Sequence, residues 1–162
     1  MVRHVTRGNS NGASVQSFEV WLRGLGEAPE FSFPSETQPL TEGWRVAYPA
    51  GARSFYEVRV RPERGELQVG FSTENRSVNE EIEEFILEQG GDLDDLLDVE
   101  LSDLGVDDAP HMEHFFERPL FRFVVRDRFG SEADLDAPLL KSRVRALLIA
   151  CRILFQPHVE GA

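Results

Sequence analysis

Apolar positions along the chain recur with two periods, and the switches between them mark the elements. Val15, Phe18, Trp21 and Leu22 fall at helical spacing behind Ser14, a capping residue, and Gly24 and Gly26 end that helix. Residues 27–41 carry Pro29, Pro34 and Pro39 and read as a loop, with Phe31 and Phe33 pinning it to the core. Three period-two runs follow: Trp44, Val46 and Tyr48, then Tyr56, Val58 and Val60, then Leu67, Val69 and Phe71. Each run has one apolar and one polar face, which predicts antiparallel strands covered on one side. The turn-forming connections Pro49–Arg53 and Pro62–Gly65 make them a meander.

The helical period then returns. Ser77-Val78-Asn79-Glu80 matches a capping box, and the helix it opens aligns Val78, Ile82, Phe85 and Ile86 on one stripe. Gly90-Gly91 stops it, and Asp92 caps a short second helix through Leu93, Leu96 and Leu97. Val99 to Pro110 gives no clear pattern. Strands are expected in His114–Arg118 and Leu120–Arg126, with Pro119 marking an edge or break. Asp136 is the expected cap of a last helix, with Pro138 in its first turn and Gln156-Pro157 at its end. Its wide stripe of Leu140, Val144, Leu147, Leu148, Cys151, Leu154 and Phe155 predicts the most buried element. The expected fold is a single α+β domain over 14–157, ordered α-β-β-β-α-β-β-α, with helices on one face of an antiparallel sheet. Residues 1–13 are expected to form a disordered arm and 158–162 a tail.

Charge changes this picture by its placement. The chain has 162 residues and a net charge of −12. Residues 74–108 hold fourteen acids and one base, Arg76, a net −13 that leaves +1 for the other 127 residues. Within that segment Glu80, Glu81, Glu84, Glu88, Asp92, Asp94, Asp95 and Asp98 form the candidate partner-binding face, suited to a basic protein. A solvated face, or pairing with Lys141, Arg143 and Arg145 on the last helix, is the plainer account of the same acids. Free nucleic acid is not expected as a ligand at a pI of 4.7. The hairpin bases Arg53, Arg59, Arg61 and Arg64 alternate with Glu57, Glu63 and Glu66, which favours internal pairing. The longest apolar-rich run, Val144 to Phe155, falls short of a membrane span, and the N-terminus lacks a secretory signal, so a cytoplasmic location is expected.

Several chemistries lack their residues. No Gly-Lys pair supports a phosphate loop, and no Gly-x-Ser-x-Gly elbow is present. Cys151 lies among apolar neighbours and reads as core. Asp92 to Asp103 fails as a calcium loop, with Leu97 where glycine is needed and Asp103 where glutamate is needed. His111 and His114, with Glu113 or Glu117, would share a metal if helical. Pro110 and Phe115-Phe116 favour a strand or turn, where residues three apart face opposite ways. No metal, cofactor or catalytic residue is therefore assigned.

The element order and acidity resemble the type III secretion chaperones and the related bacterial fold. That resemblance spans residues 14–157 and implies a protein-binding α+β sandwich, often a homodimer, without catalytic residues. A second resemblance, over 54–157, is to prokaryotic domains attached to restriction-type nucleases. It rests on the hairpin Phe55–Phe71, the helix with Phe85 and its Gly90-Gly91 stop, and the ending Leu154-Phe155-Gln156-Pro157. Such a nuclease core places an acid two residues before a lysine, and Leu139 stands two before Lys141, the one lysine. That resemblance therefore implies an accessory domain of a nuclease or defence system. The expected function is a non-catalytic, chaperone-like or inhibitor-like domain that binds a basic partner, with possible homodimerisation. The nuclease accessory and a metal-dependent hydrolase using His111 and His114 are the alternatives.

Overall fold

A computed structural model describes residues 2–25, 35–108 and 110–161, with 2–12 as backbone only. Helix α1 (Val2–Leu25) is followed by strands β1 (Glu36–Leu40), β2 (Gly43–Gly51), β3 (Ser54–Arg61) and β4 (Glu66–Thr73). Helices α2 (Arg76–Glu88) and α3 (Leu93–Asp103), strands β5 (Met112–Glu117) and β6 (Leu120–Arg128), and helix α4 (Pro138–Glu160) complete the chain. The six strands form one antiparallel sheet in the order β1-β2-β3-β4-β6-β5. The fold is α+β, in the expected order. No helix among the described residues is long and apolar enough to cross a membrane.

The apolar halves of the strand alternations meet the helices. Val46, Tyr48, Tyr56, Val58, Val60, Leu67, Val69, Phe71, Phe123 and Val125 are buried on that face. Helix α4 lies against it with Val144, Leu147, Leu148, Cys151, Leu154 and Phe155 buried. The Phe155 ring is centred 5.0 Å from both Phe71 and Phe123, joining α4 to the centre of the sheet. Phe18 and Leu22 of α1 cover its β2 end, where the Tyr48 hydroxyl donates to the Leu22 carbonyl.

Five boundaries differ from the sequence reading, four of them for a local reason. Helix α1 is drawn from Val2, ahead of Ser14. The segment 36–40, read as loop, is edge strand β1. Pro39 is tolerated there because an edge strand leaves some N–H groups unpaired. The cap of α2 is Asn75, whose Oδ1 accepts from the Ser77 and Val78 amides, so Ser77 falls inside the first turn and forms no capping box. Ala137 and not Asp136 precedes α4, because Pro138 forces its predecessor into the extended conformation found there (ψ 129°). Pro157 does not end α4. The last turn continues to Glu160, with Val159 buried and the His158 ring 4.8 Å from Phe85. The expected contacts of Phe31 and Phe33 lie outside the described residues.

The opposite face of the sheet departs most from expectation. Among the described residues no helix packs on it, yet its polar side chains are not solvated. Arg45, Glu57, Arg59, Gln68, Ser72 and Arg122 are all buried. Glu57 is their hub. Arg122 Nε donates to its Oε1 at 3.0 Å, Arg45 Nε contacts its Oε2, Arg59 Nε lies 3.4 Å away, and the Ser72 hydroxyl donates at 2.6 Å. Burial alone would raise the Glu57 pKa, but Arg45, Arg122, Arg59 and Ser72 together hold it below the ordinary carboxylate value. The sheet also curls over this face. Arg59 Nη1 donates at 3.1 Å to Glu117, on edge strand β5, three strand spacings away. Leu40 of edge strand β1 and Glu117 of β5 line one cleft, whereas a flat sheet would hold those two strands about 24 Å apart.

Candidate functional site: the acidic helices

Helix α2 is oriented by its apolar stripe. Val78 and Ile82 are buried and Phe85 and Ile86 half-buried, which turns Glu80, Glu81, Glu84 and Glu88 outward, all exposed. Glu80 pairs with Arg76 one turn earlier at 3.3 Å. Glu83 accepts from Asn79 Nδ2 at 2.8 Å and stands 3.7 Å from His114. Glu81, Glu84 and Glu88 have no ion pair among the described residues. Carboxylates at i and i+4 repel by a few tenths of a kcal/mol each, so this arrangement costs the isolated helix stability.

One apolar side chain interrupts the acids. Leu87 is 74% exposed and sits three residues after Glu84, beside Glu88. The sequence reading passed over it, although it lies off the buried stripe and the helical spacing alone would have placed it outward.

The four predicted acids of α3 divide by role. Asp92 caps the helix, accepting from the Asp94 and Asp95 amides at 3.0 and 3.3 Å. Asp94 ties α3 to β5, accepting the Met112 amide at 2.8 Å and meeting His111 Nδ1 at 2.8 Å. Asp95 is exposed, and Asp92, followed by the minor cost of burial and then the neighbouring Asp98 and Asp94, raises its pKa. Asp98 is half-buried. The eight residues therefore do not act alike: Asp92 and Asp94 build the fold and Glu80 pairs with Arg76, while Glu81, Glu84, Glu88 and Asp95 are exposed with no ion pair among the described residues.

Two of the bases proposed as internal partners are engaged elsewhere. Arg143 binds Asp127 and Asp108, and Lys141 stands 3.9 Å from Asp136. The histidine pair is also divided. His111 meets Asp94, while His114 Nε2 lies 2.9 Å from Asn79 Oδ1 with its ring stacked 3.9 Å from Phe123. The Asp94 hydrogen bond raises the His111 pKa, and burial lowers that of His114. Among the described residues no three His, Cys, Asp or Glu side chains converge as a metal-binding group. Cys151 is fully buried and its pKa is pushed up to about 12, so its thiol is inert.

Comparison of the chain with protein-family models, with curated proteins and with solved structures gives no match.

Proposed function

We propose that this chain is a non-catalytic protein-binding domain that docks a basic protein partner on the outward face of α2, in a chaperone-like or inhibitor-like manner. The observation that carries this reading is the stripe of Glu84, Leu87 and Glu88, flanked by Glu81: three carboxylates without an ion pair among the described residues, around one exposed leucine. Such a face offers electrostatic steering from the acids and one apolar anchor, the two terms that set association rate and residence time.

The triple variant Glu81→Gln, Glu84→Gln and Glu88→Gln tests this. It should fold with equal or slightly higher stability, because it removes i, i+4 repulsion. Its association rate with a labelled Arg- and Leu-rich helical peptide should fall at least about tenfold at low salt, with the difference shrinking at high salt. Leu87→Ser should instead accelerate dissociation. A stability loss of about 2 kcal/mol in the triple variant would place these acids in internal pairs and defeat the proposal.

A further inference from the structure

The concave face of the sheet lies on the side away from α2 and α3, and its rim arginines Arg61 and Arg126 pair with Glu66 and Glu113, while its centre gathers three arginines. Arg45, Arg59 and Arg122 surround one fully buried carboxylate, Glu57, and the next nearest, Glu117, has a half-exposed side chain. Three guanidinium nitrogens in this group, Arg45 Nη2, Arg59 Nε and Arg122 Nη1, are buried without a hydrogen-bond acceptor among the described residues, as is Arg61 Nε; of these arginines, Arg59 and Arg61 line the cleft described next. Arg45, Arg59 and Arg122 are each more than nine-tenths buried. Buried charged donors without a hydrogen bond are costly, and the ion-pair contacts of Arg59 Nε with Glu57 at 3.4 Å and of Arg122 Nη1 with Glu117 at 3.7 Å offset that cost only in part.

The same face opens into a cleft of about 340 Å³ lined by Leu40, Thr41, Glu42, Arg59, Arg61 and Glu117. Its walls come from both edges of the sheet, since the β1–β2 turn and the end of β5 are brought together by the curl. The volume is at the small end of ligand sites. Glu117 shows which chemistry the cleft accepts. Its carboxylate meets Arg59 Nη1 at 3.1 Å and stands 3.7 Å from Arg122 Nη1, a tethered oxyanion on the outer edge of the arginine group.

We propose that this cleft is a binding site for a small monocarboxylate with a short apolar body, which displaces Glu117 from Arg59 and extends along Leu40. Guanidinium groups recognise carboxylates through paired, charge-assisted hydrogen bonds. Leu40 supplies an apolar wall. Glu42 and Glu117 at the mouth disfavour a more highly charged anion such as phosphate, whereas one carboxylate replaces another without adding charge to the rim.

Titration with sodium butyrate, followed by NMR of the arginine Nε–H resonances, tests the site. Acetate, inorganic phosphate and chloride at matched ionic strength are the comparison arms. The Arg59 and Arg61 resonances, assigned by their loss in Arg59→Lys and Arg61→Gln, should shift saturably with butyrate, more weakly with acetate and not with chloride. Arg61→Gln should weaken butyrate at least about tenfold, as loss of a charge-assisted hydrogen bond does. Glu117→Gln should tighten it, because the internal competitor loses its charge. Both positions lie at the rim, and the backbone amide spectrum of each variant verifies its fold. Absence of a saturable shift, equal binding by Arg61→Gln, weaker binding by Glu117→Gln, or phosphate binding more tightly than butyrate would each overturn the proposal.

Discussion

Replacing Glu57 by Gln tests whether the concave face is held together by one buried charge. Glu57 is 1% exposed and receives bonds or close contacts from Arg45, Arg59, Arg122 and Ser72. Gln preserves the volume and one acceptor oxygen, so Arg122 and Ser72 can still donate to it. Its amide nitrogen, however, turns a donor toward Arg45 or the other guanidinium groups, and its neutrality leaves three buried cations beside Glu117 alone. Removing one partner of a buried ion pair costs about 3–5 kcal/mol, and retention of the Oε1 acceptor puts this variant near 4 kcal/mol, roughly half the stability of a typical domain. The sign with pH follows from the direction of the shift. The folded-state pKa of Glu57 lies below its ordinary value of 4.5, so its contribution is complete above that value and is lost as pH falls through the folded pKa. Urea unfolding followed by far-UV circular dichroism should therefore show a large, constant gap between wild type and Glu57→Gln around neutrality. That gap should narrow in acid, as the wild type surrenders the same interaction. A gap below about 1 kcal/mol at neutral pH, the range of an exposed pair, would refute the reasoning. So would a gap that persists unchanged into strong acid.

Two further outcomes follow from the helical side. Leu148→Ala, at a fully buried position of α4, should cost about 2–5 kcal/mol in the same urea assay, and a loss below one would make α4 peripheral. At the α3 cap, Asp92→Ala should lose about 1 kcal/mol, whereas Asp92→Asn keeps the cap, relieves Asp95 and should be neutral or slightly stabilising; equal losses in both would show that the charge and not the cap matters.

The parts of the fold legible in the sequence are those in which one period dominates. Val58 and Val60, or Leu147, Leu148 and Cys151, announce buried faces because an apolar residue at the right spacing has one plausible use. The cap at Asp92 was readable for the same reason, since its side chain answers to amides two and three residues away. The boundaries that moved were competitions between neighbours of similar quality. Asn75 and Ser77 are both good caps, and the helix begins at the first of them, whose Oδ1 accepts from the Ser77 and Val78 amides. Pro157 is a poor helix residue, but the buried Val159 and the His158 contact with Phe85 keep the final turn. Strand β1 had no period at all. Four of its five residues, Glu36, Thr37, Gln38 and Pro39, are exposed, and only pairing with β2 makes the segment a strand.

The acidic helix and the concave face differ in the same way. Glu80, Glu81, Glu84 and Glu88 could be placed outward from α2 alone, because a helix fixes the relative directions of its own side chains. The alternation of Glu57, Arg59, Arg61 and Glu66 was equally visible and correctly suggested internal pairing, but local reading matched each base with a neighbour in its own hairpin. The pairing partners lie elsewhere: Arg45 is twelve residues from Glu57, and Arg122 is sixty-five away. Gly70 contributes by absence. A Cβ at that position would lie 1.9 Å from the Phe123 carbonyl oxygen, so β4 and β6 approach each other as they do only because residue 70 is glycine. It sits between Glu57 and Val124 in the register, leaving no side chain on the line between Glu57 and β6. An arginine cluster around one buried carboxylate, assembled by sheet order and one missing side chain, has no local signature. It becomes visible only when donors and acceptors are counted across strands: four guanidinium nitrogens are buried without a hydrogen-bond acceptor among the described residues, and two of their arginines, Arg59 and Arg61, line the cleft with Glu42 and Glu117.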